Sequence, residues 1–535
     1  MNGDDAARSA GQIVAWIRSQ APHAAHLRID SREVGRGDVF LALPGRREDG
    51  RAYVQDAIAR GAAAIVIESS RRPAAAVEVP VLQVDRLSGQ LGEIGAAFYR
   101  DPTAALLTIG VTGTNGKTSC SHWIAQVLSA CGRRCAVIGT VGSGFTDALQ
   151  TEATLTTPDA IDLQRQARKW LDAGAQALAM EVSSIGLDQR RSDAIRFDLA
   201  LFTNLTRDHL DYHGSMAQYE SAKTRLFDVP SVAHAVLNLD DELGRRLAQR
   251  CRQRGVRTTG YRIRAPGVDR DAGAAPFDAS GVDIDLSAVS VQLGADDLRF
   301  DASVQRSGTP ARTLPVRAPV IGRFNVSNVL AVMGIALAAG IDAQEAARAL
   351  NRLRPPPGRL QRVDLEEGEA AGADLPLALI DYAHTPDAID QALAALRPVA
   401  GARGGRLWIV FGAGGDRDPG KRPQMGLAAA RGADRIVVTS DNPRSEVPER
   451  IIDQIVSGIG DIGSRLDRIA DRALAIDHAV RQAGAADVVL IAGKGHEQYQ
   501  DVAGQRLAFS DLRCARTALQ RRSENAGRSA AGDAP

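Results

Sequence analysis

Gly110-Val111-Thr112-Gly113-Thr114-Asn115-Gly116-Lys117-Thr118 is the stretch on which the reading of this 535-residue chain turns. An apolar run from Leu106 to Val111 leads into it. Trp123, Ile124, Val127 and Leu128 then fall on one face of a helical pattern. Strand, glycine-rich turn, Lys-Thr and helix make the layout of a phosphate-binding loop. Backbone N–H groups and a helix N-terminus hold the anion, the lysine neutralises it, and the threonine hydroxyl suits Mg²⁺. The strict spacing G-x-x-x-x-G-K-[ST] is not met, because Val111 stands five residues before Gly116. The flanking strand and helix carry the reading; the plainer alternative is a glycine-rich turn with a chance Lys-Thr.

Working outward, apolar runs alternate with helical patterns from about 104 to 353, which predicts a doubly wound parallel sheet. The runs lie at 136–138, 177–180, 199–202 and 235–237. Met180 runs into Glu181-Val182-Ser183-Ser184, and Phe202 runs into Thr203-Asn204 and then Asp208-His209. Ligands bind beyond the carboxyl ends of such strands, so topology places Glu181 and His209 near the phosphate loop. Upstream, residues 1–103 read as a small α/β domain with strands near 39–43, 62–67 and 81–84 and a helix near 53–60. Its polar clusters, Asp30-Ser31-Arg32 and Arg46-Arg47-Glu48-Asp49-Gly50-Arg51, suit solvated loops or a binding edge equally, and Asp101-Pro102-Thr103 suits a linker.

Between 262 and 315, alternation at Val282, Ile284 and Leu286 slips by one to Val289, Val291 and Leu293. Antiparallel strands with a bulge or turn at the slip fit this, and no chemistry is visible there. Phe324-Asn325-Val326-Ser327-Asn328 opens another helix. Arg354-Pro355-Pro356-Pro357-Gly358 cannot be helical and marks a boundary. A further α/β domain follows, 354–522, whose strands end in Asp381-Tyr382-Ala383-His384, in Gly412-Ala413-Gly414-Gly415-Asp416-Arg417-Asp418, in Asp441-Asn442-Pro443-Arg444 and in Gly493-Lys494-Gly495-His496-Glu497. Four such loops on one sheet edge predict a ligand-binding face. The Ala/Gly/Ser-rich tail, 523–535, is expected to be disordered.

Composition excludes several classes. Net charge is +1, so no global field draws the chain to nucleic acid or to an acidic membrane. No run approaches the ~18 apolar residues of a membrane span, and no signal-peptide core follows the N-terminus, so a cytoplasmic monomer without membrane insertion is expected. The five cysteines are scattered, without the paired spacing of a zinc site, and read as free thiols.

Several residues admit two readings from their own chemistry. Glu181 at a strand end suits Mg²⁺ or water polarisation, or else a cap or ion pair. His209 suits a ligand or a structural role. Lys223 alone reads as one more solvated lysine. Asp441-Asn442-Pro443-Arg444 is either a turn fixed by proline or a rigid fork for a carboxylate, and Arg417 in its glycine-rich loop invites the same pair of readings. Residue chemistry reaches an ATP- or GTP-using enzyme with an anionic substrate, and leaves open a nucleotide-hydrolysing switch protein.

Taken together, Thr112 to Thr118, Met180-Glu181-Val182-Ser183-Ser184, Asn204-Leu205-Thr206-Arg207-Asp208-His209-Leu210-Asp211-Tyr212-His213-Gly214, Asp381-Tyr382-Ala383-His384, Asp441-Asn442-Pro443-Arg444 and Gly493-Lys494-Gly495-His496-Glu497 resemble the Mur ligases of peptidoglycan synthesis, from about 29 to 511. The resemblance implies three domains: 1–103 for the UDP substrate, 104–353 for ATP, and a Rossmann-like 354–522 for the incoming amino acid. It implies an ADP-forming ligase adding meso-diaminopimelate to the D-glutamate of UDP-N-acetylmuramoyl-L-Ala-D-Glu, with a lysine-adding or folylpolyglutamate-type ligase as the alternative. Ile29, Ser31, Arg46, Arg47, Glu48, Thr156, Thr157, Ser183, Gln189 and Arg191 would then hold the UDP-dipeptide. Gly113, Thr114, Asn115, Gly116, Lys117, Thr118 and Ser119 would hold the phosphates of ATP, with Asn325, Arg359, Asp381 and His384 contacting the nucleotide. Thr118, Glu181, His209 and a carbamylated Lys223 would ligate Mg²⁺, and Lys117, Lys223, Glu181 and His209 would be catalytic. Arg417, Asp441, Asn442, Pro443, Arg444, Gly493 and Glu497 would bind diaminopimelate. Arg46-Arg47-Glu48 and Ile185 depart from the family's commoner pattern, which often has histidine first in the loop and after the Ser-Ser pair.

Overall fold

Runs of Val, Ile, Leu and Ala bounded by polar loops become strands throughout this α/β chain. The computed structural model describes residues 8–24, 26–45, 48–68, 78–150, 155–264, 281–294, 296–365, 375–461 and 463–532. Arg46 and Arg47 lie outside the described residues. The chain divides into two compact units, one from Met1–Ser287, Ser303–Arg312 and Leu330–Ala349, the other from Ala288–Ala302, Thr313–Val329 and Leu350–Pro535.

The first unit holds two sheets. The smaller runs β1 (Leu27–Arg28), β2 (Val39–Ala42), β3 (Ala64–Glu68) and β4 (Val81–Val84) in that order, all parallel. Its second sheet contains β5 (Leu107–Thr112), β6 (Cys135–Gly139), β7 (Gly142–Phe145), β8 (Ala148–Gln150), β9 (Ala177–Glu181), β10 (Leu199–Phe202), β11 (His234–Asn238) and β12 (Arg257–Ile263). The order is β12-β11-β10-β5-β9-β6-β7-β8, with β7 and β8 antiparallel at the edge. After β9 the chain crosses to the far side of β5, so the switch point falls at β5 and its following loop. Val111, Ala179, Met180, Leu201 and Val236 are fully buried, as a sheet covered on both faces requires.

Strands β13 (Ile284–Leu293), β14 (Leu298–Arg306) and β15 (Arg312–Ala318) divide their residues between the units. The phase slip lies inside β13 and involves no break in the strand. Ser290 takes φ 55°, which turns the chain by one position while the strand continues.

The second unit carries a sheet of β16 (Gln361–Arg362), β17 (Leu377–Asp381), β18 (Leu407–Phe411), β19 (Arg435–Val438), β20 (Leu466–Arg468) and β21 (Val488–Ala492), in the order β16-β17-β21-β18-β19-β20. All neighbours except β16–β17 are parallel. A hairpin of β22 (Tyr499–Val502) and β23 (Gln505–Ala508) follows β21. The last helix, Asp511–Gly532, corrects the expected disordered tail. The tail extends an existing helix at little cost, because propagation adds one hydrogen bond per residue once the helix is nucleated. Residues 533–535 lie outside the described residues. No described helix is long and apolar enough to cross a membrane.

Candidate functional site

The loop after β5 closes tightly because Gly113 has no side chain. Its φ is 148°, and a Cβ there would stand 1.9 Å from Thr203 Oγ1. The segment after β10 clasps the loop. Thr114 N–H donates to Asn204 O at 2.8 Å, Asn115 N–H to Asn204 Oδ1 at 3.0 Å, and Thr203 Oγ1 to Asn115 O at 2.6 Å. Gly116, at φ 84°, precedes the helix Lys117–Ala130, whose N-terminus faces the loop. Thr118 and Ser119 are buried in its first turn.

Two lysines meet on one carbonyl. Lys117 Nζ donates to Gly113 O at 2.9 Å and Thr114 O at 2.8 Å. Lys223 Nζ, from the helix Met216–Asp228, donates to Gly113 O at 2.8 Å. Lys223 is 1% exposed and lies 4.3 Å from the centroid of the Tyr219 ring, whose hydroxyl is 3.1 Å from Thr114 Oγ1. Burial, and then the charge of Lys117, push its pKa well below the ordinary 10.5. The lysine that reads as solvated in isolation is therefore one of the deepest in the protein, a burial that the sequence around it does not signal.

Glu181, at the end of β9, is 1% exposed. It accepts from Thr118 Oγ1 at 3.0 Å, from Thr140 N–H at 2.8 Å and from Thr140 Oγ1 at 3.1 Å. Thr140 follows β6 at the same sheet edge; the strand-end rule that singles out Glu181 applies to it too, but its run ends in an unremarked threonine. His209 is exposed, with Nε2 3.5 Å from Asp208 Oδ2, and desolvation followed by the charges of Lys117 and Lys223 lowers its pKa despite Asp208. Among the described residues no three His, Cys, Asp or Glu side chains gather as a cation cage. The donors that do meet, the Thr118 hydroxyl and the Glu181 carboxylate, are hard oxygens of the kind Mg²⁺ takes, and a carboxylated Lys223 would add more.

A hydrogen-bonded path leads away from Glu181. Thr140 Oγ1 lies 3.1 Å from Thr156 Oγ1 and can accept its proton. Thr157 Oγ1 lies 3.0 Å from Glu181 O and 3.1 Å from Ser183 Oγ, which caps the helix Ser184–Asp188 through Gly186 N–H. Arg191 donates to Thr157 O at 2.8 Å and to Gln189 Oε1. Gln189 and Arg191 line a cavity of about 400 Å³ together with Ile29, Asp30 and Asp159. Burial raises the Asp159 carboxyl to about 6. Ser31 is buried in the turn Ser31–Glu33, capped by Asp30, and Glu48 is exposed.

In the second unit, Asp381 ends β17 and accepts Leu360 N–H and Ala383 N–H, both at 2.8 Å. That places Arg359 over the Tyr382 ring, 4.9 Å from its centroid, with the His384 ring 4.6 Å from the same centroid. Asn325 makes its contacts with Ile321 O and Asn328.

The loops after β18, β19 and β21 converge. A Cβ on Gly414 would stand 2.9 Å from Arg444 Nη1, so its bare backbone leaves room for that guanidinium, and the stem of Arg417 passes alongside at 3.6 Å. Arg444 is half-buried, at φ 51°, and donates Nη1 to Gly415 O at 2.6 Å. Asn442 Nδ2 donates to Glu497 Oε2 at 2.9 Å. Gln500 of the hairpin donates to Ser440 Oγ and Asp441 O. Asp441 Oδ2 would stand 2.5 Å from a Cβ on Gly493. Behind the loops, Arg472 is fully buried. It forks onto Asp511 at 2.7 Å twice and donates to Ser440 O and Ala492 O, the carbonyls that precede Asp441 and Gly493. Arg422 likewise forks onto Glu446 at 2.8 Å. Nothing in the local sequence marks Arg472 or Arg422, because both begin ordinary helices.

Three family models match consecutive stretches: "Mur ligase family, catalytic domain" over 23–99, "Mur ligase middle domain" over 111–336 and "Mur ligase, glutamate ligase domain" over 358–495. The chain is 48% identical over 520 residues to the UDP-N-acetylmuramoyl-L-alanyl-D-glutamate–2,6-diaminopimelate ligase of Ralstonia nicotianae, covering 96% of each. It is 44% identical over 498 residues to the enzyme of that name from Pseudomonas aeruginosa, covering 92% of this chain and 94% of the relative. A solved structure of a protein of the same name superposes with TM-score 0.61 at 34% identity, over 93% of this chain and 95% of the other. A folylpolyglutamate synthase from Mycobacterium tuberculosis shares the fold, with TM-score 0.57 at 16% identity over 80% of this chain and 94% of the other.

Proposed function

The chain belongs to the Mur ligase family, and from that premise we propose that it joins meso-diaminopimelate to the D-glutamate of UDP-N-acetylmuramoyl-L-Ala-D-Glu, with ATP cleaved to ADP, in cytoplasmic peptidoglycan precursor synthesis. The observation that carries the reaction is the meeting of Lys117 and Lys223 on the Gly113 carbonyl, beside the Thr118–Glu181 pair. The relatives' names support the choice of substrates. In this reading residues 1–103, 104–353 and 354–522 serve the uridine end, ATP and the amino acid respectively, within one monomer.

A carboxylate is a poor acyl electrophile because oxide is a poor leaving group. Transfer of the γ-phosphoryl group to the D-Glu side-chain carboxylate gives an acyl phosphate and ADP. The neutral amine of diaminopimelate attacks the acyl carbon, phosphate leaves, and the amine's proton passes to solvent. Catalysis is then positioning and charge compensation. Lys117 exchanges loop carbonyls for phosphate oxygens. Arg191, Thr157 and Ser183 hold the peptide acid at the near end of the path that reaches Glu181. Thr118, Glu181, His209 and a carbamylated Lys223 would hold Mg²⁺, which would supply positive charge against the phosphates. Burial lowers the pKa of Lys223, which makes its lone pair easier to free; the amine adds to CO₂ and loses a proton, which puts a carboxylate where oxygen donors are wanted. Arg359, Asp381, His384 and Asn325 would contact the nucleotide in this reading.

Diaminopimelate differs from lysine by a distal carboxylate. Arg444 is its reader, with Arg417 on the other carboxylate, and Asp441, Asn442, Pro443, Gly493 and Glu497 shape the pocket. The deciding measurement is mass spectrometry of the product formed from the UDP-dipeptide, ATP, Mg²⁺ and an equal mixture of diaminopimelate and lysine. A diaminopimelate adduct is expected; a lysine adduct, or phosphate release that needs neither acceptor nor amino acid, would overturn the reading.

A further inference from the structure

We propose that Lys494 is a positioning residue for amino-acid recognition, joining Asn442 to Glu497 and thereby fixing the backbone that carries Arg444. The inference rests on the amino-acid site proposed above. Lys494 is completely buried. Its Nζ donates to Asn442 Oδ1 at 2.9 Å and to Glu497 Oε2 at 2.8 Å. The same Oε2 accepts Asn442 Nδ2 at 2.9 Å, and the same Oδ1 accepts Asp501 N–H at 2.9 Å. An amide side chain can turn over by half a rotation and present its oxygen where its nitrogen was. Here a cation and an N–H lie on one side and a carboxylate on the other, so a single orientation satisfies all three contacts of the amide.

That orientation is passed on. Asp501 O accepts Arg444 N–H at 2.9 Å, and Arg444 O accepts Ala503 N–H at 2.7 Å. Arg444 itself sits at φ 51°, a backbone state that a non-glycine residue keeps only when its surroundings impose it. The ammonium of Lys494 thus acts at one remove on the arginine, and directly on the Glu497 carboxylate, whose side chain stays 19% exposed at the pocket. A buried ion pair is a weak source of net stability, so holding geometry is the role left for it. With an apolar side chain at 494, Glu497 loses its cation and can swing to water, which leaves the Asn442 amide held by the Asp501 N–H alone, while the phosphate loop of the other unit keeps its own contacts.

The test is three-substrate steady-state kinetics on the full chain. Wild type comes first, and its failure to ligate diaminopimelate would sink the functional reading itself. Given an active wild type, Lys494→Met is expected to raise KM for diaminopimelate about 20-fold, below the ~100-fold that a misplaced group can cost. KM for ATP and for the UDP-dipeptide should stay within about twofold, and selectivity against lysine should fall about tenfold. Lys494→Gln, which keeps neutral N–H donors, should show a smaller rise on the same substrate alone. An unchanged diaminopimelate KM, an equal rise for all three substrates, or the failure of both variants to fold cooperatively would each overturn the proposal.

Discussion

Four lysine and arginine side chains are buried among the described residues, and they are of two kinds. In the second unit, Arg422, Arg472 and Lys494 each hold a carboxylate: Glu446 at 2.8 Å, Asp511 at 2.7 Å and Glu497 at 2.8 Å. In the first unit, Lys223 holds a carbonyl and the face of a phenol ring, with no carboxylate in ion-pair range among the described residues. A cation taken out of water is costly unless a counter-charge and hydrogen bonds offset the desolvation. The matched three brace loops that must keep their shape. The unmatched one sits where a negative charge is still to come, from a phosphate or from the amine's own carboxylation. Charge matching therefore separates scaffold from chemistry here better than burial does.

The sharpest break in that contrast is at Lys223. Lys223→Ala is expected to lose at least ~10³-fold in ligase turnover, measured as ADP released with both other substrates present. Its melting point should stay level or rise, because a buried cation without a carboxylate has been removed. Acetate in the assay should restore part of the rate by standing in for the carbamate. Full activity without acetate would show that the carbamate is not needed and would return Lys223 to the scaffold.

Arg472→Met tests the opposite arm. It leaves Asp511 buried without its partner, which costs about 3–5 kcal/mol in urea unfolding, while Arg472→Met with Asp511→Leu should recover most of the loss. A mild single variant would mean that matching is not what holds this pair.

The frame around these buried cations was legible in sequence, and the cations' own burial and pairing were not. The phosphate loop announces itself because strand, glycines, lysine and helix are consecutive, and because Glu181 closes an apolar run. The parallel sheets follow from continuous Val, Ile and Leu stretches. Lys223 carries no local mark, since it lies mid-helix between Ala222 and Thr224 and is covered by the Tyr219 ring and by a loop 110 residues away. Arg472 and Asp511, 39 residues apart, are likewise paired by tertiary contact alone. The last helix runs to Gly532 although 523–532 is rich in small residues, because a helix already nucleated upstream extends at little cost.

Arg444 sharpens the comparison from the second unit, because it resembles Lys223 more than its neighbours. Its Nη1 rests on the Gly415 carbonyl at 2.6 Å, and no carboxylate pairs with it among the described residues. By the same reasoning it awaits an anion. Arg444→Ala should lower kcat/KM for diaminopimelate by about 100-fold, or roughly 3 kcal/mol, while ATP affinity by calorimetry stays at the wild-type value. Unchanged turnover would remove Arg444 from the site and leave Lys223 alone in its class.

The smallest effect expected is an acid-stability difference at Glu446. The fork from Arg422, then the Asp416 N–H, hold its carboxyl down at about 2, against an ordinary 4.5. A carboxyl depressed on folding binds fewer protons in the folded state than in the unfolded one between those two values. Its stabilisation is therefore complete above pH 4.5 and is lost as pH falls toward 2. Glu446→Gln never has that contribution, so its melting temperature should sit below wild type at neutral pH and the two curves should approach each other through the acid window. Glu446 is partly exposed, which screens the pair and keeps the gap small. Parallel curves from pH 6 to 2 would mean that the Arg422 fork contributes only shape. Matching would then describe geometry in this unit, and the contrast with Lys223 would rest on Arg472 and Lys494.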